Sequence, residues 1–171
     1  VSRLTLHLVS AHDAAEIIAF EQENRAFFAQ SVPDRGDDYF VPANMERFLA
    51  EIEAEQERGE CYLYLVRDEA GELVGRVNLV DVERGARPSA SIGYRVGARH
   101  AGKRYASEAV RLALAEAAGL GIVTVRAMTT VENVGSQIVL LRNGFQFAER
   151  RPQHLDVNGK VHDAVVFHSE L

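Results

Sequence analysis

Residues 97–104 read GARHAGKR, and two chemistries could use them. Gly97, Gly102 and Lys103 fit the phosphate loop of nucleotide hydrolases, which runs Gly, four residues, Gly-Lys and then a hydroxyl residue. Arg104 stands where that hydroxyl would hold Mg²⁺, and so sets a cation beside a cation. The later run IVTVRAMTT (122–130) ends in Thr, where such an enzyme needs an acidic metal ligand. The second chemistry needs no metal. A strand, a Gly-containing turn and a helix start leave backbone N–H groups unpaired at the positive end of the helix dipole. Across RHAGKRYAS (99–107), Gly102 permits close backbone approach and Ala106 keeps the first turn small. Lys103 and Arg104 add charge, and Ser107 adds a hydroxyl. Such a unit can hold a pyrophosphate. On this stretch alone, an ordinary helix start with basic surface residues fits as well.

The elements that must position this loop follow from periodicity and punctuation. Residues 3–9 alternate as a half-buried strand. A helix capped by Ser10 follows, with Ile17, Phe20, Asn24 and Phe27 on one face. Residues 31–42, with two prolines, read as a loop, and residues 43–58 as a helix with Met45, Phe48, Leu49 and Ile52 inward. Strands are expected at 61–67, 72–82 and 90–96, a helix at 105–118, a strand at 122–130 and a short helix at 134–142. Asn133 caps that helix and Asn143-Gly144 stops it. Two strands joined by the Asn158-Gly159 turn close the chain. The helix between strands 90–96 and 122–130 is a crossover, which makes those strands parallel neighbours. The fold class is α/β, with one mixed sheet and helices on both faces.

The 171 residues suit one domain, taken as 1–171. A net charge of −6 argues against non-specific nucleic-acid binding. No apolar run reaches membrane-spanning length, and the N-terminus lacks the apolar stretch of a signal peptide, so a cytoplasmic protein is expected. Cys61, the only cysteine, sits in CYLYLV and reads as a core residue. The histidines show no metal-ligand spacing, so no metal is expected.

IGYRV (92–96), HAGKRYASEAV (100–110) and ENVGSQIVLLRNGF (132–145) together resemble the GNAT acetyltransferase superfamily. They are most similar to its Rim-type branch, whose founding members acetylate the N-terminal residue of ribosomal proteins. That branch shows a G-Y-x-V strand, a G-K-G-x-A-x-E-A loop and an N-x-x-S-x-x-x-L-x-x-x-G-F helix in this order. ENRAFF (23–28) and LVGRVNL (73–79) extend the likeness upstream.

The resemblance implies a mostly antiparallel sheet with one parallel pair splayed to admit acetyl-CoA. The backbone of Tyr94 to Val96 would pair with the pantetheine arm. The amides of Ala101, Gly102, Lys103, Arg104, Tyr105 and Ala106, with Ser107, would hold the pyrophosphate, and Asn133 and Ser136 would face the reacting end. Arg104 departs from the branch, which has a second glycine there; it either crowds the phosphates or swings out to the 3′-phosphate. Leu140 stands where many members of the superfamily carry a thiolate-protonating Tyr, although the Rim-type branch usually lacks it.

The implied reaction is acetyl transfer from a thioester to a primary amine, on a peptide N-terminus or a small molecule. A backbone N–H near Val96 would take up the oxyanion. Ser136 would protonate the thiolate, a role that competes with capping its own helix. The base is harder to assign. Leu155 occupies the position of the carboxylate used by some Rim-type enzymes; Asp156, Glu23 and Glu108 are other carboxylates within reach of the pattern, and His154 is the base we select. The loss at position 155 also permits a non-catalytic acyl-CoA-binding module on the same fold. Rim-type relatives are monomers or homodimers. The DRGDD run (34–38) would line an acidic entrance and favour a cationic acceptor.

Overall fold

A computed structural model describes residues 3–171, so the first two positions of the expected domain lie outside the described residues. Strand β1 (Thr5–Leu8) is followed by helices α1 (Ala14–Phe28) and α2 (Pro42–Glu57). Strands β2 (Tyr62–Arg67), β3 (Leu73–Glu83) and β4 (Ser89–Val96) come next. The chain then runs through α3 (Tyr105–Gly119), β5 (Thr124–Thr130), α4 (Val134–Arg142), β6 (Gln146–Val157) and β7 (Lys160–Glu170). The order of elements is the expected one. Among the described residues no helix is long and apolar enough to cross a membrane.

The strands form one sheet in the order β1-β2-β3-β4-β5-β7-β6, antiparallel throughout except for β4–β5. Helices cover both faces. On β2, Tyr62, Tyr64 and Val66 belong to the core built with Ala109, Val110 and Ala113 of α3 and Leu140 of α4. Cys61, Leu63 and Leu65 belong to the opposite core, with Ile17, Met45 and Leu49 of α1 and α2. A strand covered on both faces reads as a continuous apolar run, which is why CYLYLV does not alternate. Burial pushes the Cys61 thiol up to about 12, so it stays protonated at neutral pH and is a core residue.

Two local expectations change. Ser10 caps a short 3₁₀ turn (Ala11–Asp13) through a capping box, and α1 begins only after it. Phe27 is not inward: it is 40% exposed, and Phe28 is buried in its place. Phe20, Asn24 and Phe28 lie four residues apart on one ridge of the helix, and Phe27 falls beside it.

The sheet opens at its parallel pair. Ser89, Ala90 and Ser91 of β4 pair with Thr124, Val125 and Arg126 of β5, and pairing stops there. β4 then follows β3 to its end, where Gly75 faces Val96. β5 follows β7 from Thr124 opposite Glu170 to Thr130 opposite Ala164. Each strand obeys its outer neighbour, so the two separate into a fork.

Gly75 sets how close β3 and β4 lie at the fork. A Cβ there would sit 2.7 Å from the Arg95 carbonyl oxygen, a backbone atom that cannot swing away. Gly75→Ala is expected to cost about 1–3 kcal/mol in urea denaturation, the range for overpacking, and to displace the end of β4. Unchanged stability would show that β4 is not held at this spacing.

Candidate active site

The loop after β4 is pinned from α1. Buried Asn24 accepts a hydrogen bond from the Ala98 N–H at 2.9 Å and donates to the Phe20 carbonyl at 2.9 Å. His100 is buried against Tyr105, with the rings stacked at 5.7 Å. The Lys103 ammonium lies 3.2 Å from His100 Nδ1.

The backbone then turns through two left-handed residues, Gly102 (φ 79°) and Arg104 (φ 63°, ψ 18°). The conformation of Arg104 explains why glycine is at home at this position. α3 begins at Tyr105 with no side-chain cap, which leaves the amides of its first turn for a ligand. A Cβ on Gly102 would meet nothing within 4 Å, so the loop presents an open surface there.

Two cavities border this loop, and a third meets the first of them at Tyr94, Asn133 and Ser136. The first, about 350 Å³, runs along the free edge of β4 and is lined by Tyr94, Arg95, Val96, Ala101, Ala106, Asn133, Ser136 and Phe27, among others. The second, about 470 Å³, lies beside the start of α3 and is rich in cations: Arg3, Lys103, Arg104, Arg111 and Arg142, with Tyr105, Ser107 and Asn143. Glu108 also lines it but is paired with Arg111 at 2.8 Å. Asn143 donates to the Ser107 carbonyl at 3.1 Å and ties the end of α4 to the start of α3. The third, about 190 Å³, passes through the sheet at the fork, from Val32 and Arg35 after α1 to Ser136 and Leu140 on α4.

At the fork, Asn133 caps α4 by accepting from the Ser136 N–H at 3.2 Å, as its spacing predicts. Capping therefore uses the Ser136 backbone and leaves its hydroxyl free. That Oγ lies 2.8 Å from the Tyr94 phenol, which also donates to the Ser136 carbonyl at 3.1 Å. Burial pushes the Tyr94 hydroxyl up to about 12, although its bond to Ser136 pulls the other way. A protonated phenol therefore backs the serine at neutral pH.

The structure brings together Tyr94, Val96, Ala101, Ala106, Asn133 and Ser136 in the edge cavity, and Lys103, Arg104, Tyr105 and Ser107 in the basic one. Gly102 lies in the loop between them. It does not bring His154 to the fork. His154 is exposed on β6, in an irregular stretch where the register against β7 shifts between Arg151 and Leu155, and it lines none of the three cavities. Glu23 is paired with Arg99 at 3.0 Å, and Asp156 accepts from the Gly159 N–H in the hairpin turn. The acidic-entrance expectation also fails: Asp34 and Asp37 both bind Arg25, at 2.7 and 2.9 Å, while Arg35 between them lines the fork cavity.

Sequence reasoning missed Arg35, Arg76 and Asn78 at the fork, and Arg3 and Arg142 beside α3. Arg76 and Asn78 did leave a signal: two polar residues inside the apolar strand LVGRVNLV.

The profile of the acetyltransferase (GNAT) domain matches residues 3–146. The chain belongs to the GNAT acetyltransferase family. It is an N-acetyltransferase. A probable N-acetyltransferase, YjcK of Bacillus subtilis, is 32% identical over 155 residues, covering 88% of this chain and 84% of its own. The ribosomal-protein-S5-alanine acetyltransferase of Vibrio fischeri has the same fold, with a TM-score of 0.93 at 20% identity over 99% of this chain and 94% of its own. Mycobacterium smegmatis RimJ, solved with CoA-disulfide, gives 0.90 at 23% identity over 98% and 81%. The expected family and fold are thus found, and the choice between an enzyme and a non-catalytic module falls to the enzyme.

The left-handed Arg104 makes a stability prediction. Arg104→Gly should unfold about 1 kcal/mol later than Arg104→Ala in urea, because alanine keeps the left-handed penalty that glycine removes. Equal stabilities would show that the loop does not impose this conformation.

Proposed function

We propose that this acetyltransferase acts on a primary amine, a peptide N-terminus or a small amine, at the fork between β4 and β5. The observation that carries the reading is one continuous track: the free β4 edge runs into the uncapped start of α3 and on into the basic cavity. The β4 edge offers peptide-like pairing to pantetheine. The amides of Gly102, Arg104, Tyr105 and Ala106 receive the pyrophosphate, whereas those of Ala101 and Lys103 already donate to the Ala98 and His100 carbonyls. Lys103, Arg104 and Arg142 receive the 3′-phosphate end, which favours an Arg104 side chain swung outward over one that crowds the loop. A cytoplasmic location goes with this substrate.

The acceptor reaches the fork through the 190 Å³ cavity. The amine nitrogen attacks the thioester carbonyl carbon, the C–S bond breaks, and the sulfur takes a proton. An N–H at the end of β4 receives the charge that develops on the carbonyl oxygen. Ser136 supplies the proton to sulfur and recovers one from water, and the Tyr94 phenol holds the serine hydroxyl in place. Among the described residues no Asp, Glu or His lines either cavity at the fork, so the reading assigns no general base and passes the amine proton to water.

Calorimetry with acetyl-CoA tests the track. Gly102→Trp fills the open surface of the loop and is expected to weaken binding about 100-fold or more, equivalent to roughly 3 kcal/mol of phosphate contacts. Unchanged binding by a folded variant would remove the pyrophosphate from this loop.

Steady-state kinetics test the acid. Ser136→Ala should lower kcat about 100-fold, the lower end for a general acid, and Tyr94→Phe about 10-fold, with acetyl-CoA affinity retained in both. Full activity in both variants would show that the thiolate leaves without their help.

A further inference from the structure

The fork cavity has an unbalanced wall. Three arginines line it, Arg35, Arg76 and Arg95, and no carboxylate among the described residues does. The acidic group bonded to two of them is Glu21, 3% exposed on α1. Arg76, 5% exposed, uses a single guanidinium nitrogen to reach Glu21 at 2.6 Å and the Tyr39 hydroxyl at 2.8 Å. Its buried Nε–H has no partner. Arg95 shares the same Glu21 at 3.2 Å and lies over the Phe28 ring. Arg35 stacks over Tyr39 and makes no ion pair among the described residues.

Two guanidinium charges, Arg76 and Arg95, therefore share one carboxylate, and the exposed Arg35 adds a third at the cavity mouth. Burial leaves the surplus on the inner pair costly unless something supplies the missing negative charge. The electrostatics agree: burial depresses the Arg95 pKa, Glu21 opposes that, and Arg35 and Arg76 add to it. Of the nearby acids, Asp34 and Asp37 are held by Arg25 and Glu60 by Arg58, while Glu55 and Asp81 line an adjoining cavity that Arg35 and Arg76 also reach, and none of them lines the fork cavity.

The cavity is built in place. The loop carrying Arg35 is clamped at both ends of its turn. Arg25 grips Asp34 with two hydrogen bonds, and Asn158 at the β6–β7 hairpin tip accepts from the Asp34 N–H and donates to the Ala29 carbonyl. The same wall presents a second unsatisfied atom of opposite character, the buried Asn78 Oδ1, an acceptor without a donor. An amine N–H can satisfy Asn78, and an anionic oxygen can satisfy the arginines. One molecule carrying both groups would complete the wall.

We infer that the acceptor amine carries an anionic group, a carboxylate or a phosphate, which Arg35 and Arg76 bind while the amine reaches the fork. The enzyme then selects against polyamines, which would bring positive charge to three arginines. This rests on the acetyl-transfer reading for the direction in which the amine points, and only on the cavity for the charge it prefers.

Matched amine pairs test it: β-alanine against its amide, phosphoethanolamine against ethanolamine, and a peptide beginning Ala-Asp against one beginning Ala-Asn, with spermidine as the cationic case. Release of free CoA is expected to show kcat/KM at least about 10-fold higher for the anionic member of one pair or more, the advantage falling as salt rises. The pair that responds distinguishes carboxylate from phosphate. Arg35→Gln, at an exposed position that tolerates the change, should bring the ratio close to one through KM, while Asp37→Asn leaves the ratio as it was. Calorimetry of the same pairs on CoA-loaded protein reads the preference without turnover. No release with any amine, together with a preference for the anionic member in calorimetry, would overturn the acetyl-transfer reading and uphold the charge inference. Equal or reversed preference in both measurements, or a ratio untouched by Arg35→Gln, would overturn the inference.

Discussion

Backbone N–H and carbonyl groups need hydrogen-bond partners, and beyond Ser91 β4 has no strand on the side turned away from β3. Sheets normally hide edges at their margins or cover them. Here the edge lies in the middle, because β4 and β5 are each held along their full outer side by another strand. The gap is thus a consequence of register. It suits something that hydrogen-bonds like a strand, the role proposed above for pantetheine.

The other features of the site arrange themselves along that edge by charge. Beyond its far end, the start of α3 and the cations around it suit phosphates, which stay in the wide, open cavity. At the fork the polar groups are neutral hydroxyls and amides, backed by arginines whose charge one glutamate only partly meets. Tyr94 joins the two regions: its backbone belongs to the open edge, and its phenol reaches the hydroxyl at the reacting end. Chemistry and binding therefore share one strand.

Much of this arrangement is legible in the amino-acid sequence. Asn133, Asn143-Gly144 and Asn158-Gly159 cap and turn the chain where local pattern places them, because capping and turn formation depend on neighbours within a few positions. The phosphate loop is legible for the same reason. Phe27 is a different case: helical spacing admits it to the buried face, but the hydrophobic ridge of α1 passes through Phe28, a difference of one residue that only packing resolves. His154 has the chemistry of a base and lacks the position. The irregular pairing of β6 with β7 leaves it on the surface, and no local pattern announces a register shift.

By itself the sequence determined the elements, their order, the parallel pair and the glycine-containing loop that leads into α3. Each of these follows from periodicity, caps and glycines acting over a turn or two of chain. Tertiary structure alone decided where the strands part, that Tyr94 stands behind Ser136, and that Arg35, Arg76 and Arg95 line one cavity with Glu21 between two of them. Those residues come from a loop, two strands and a helix. Their meeting depends on sheet register and on which face each side chain takes, and a shift of one residue in either strand would send them to opposite sides.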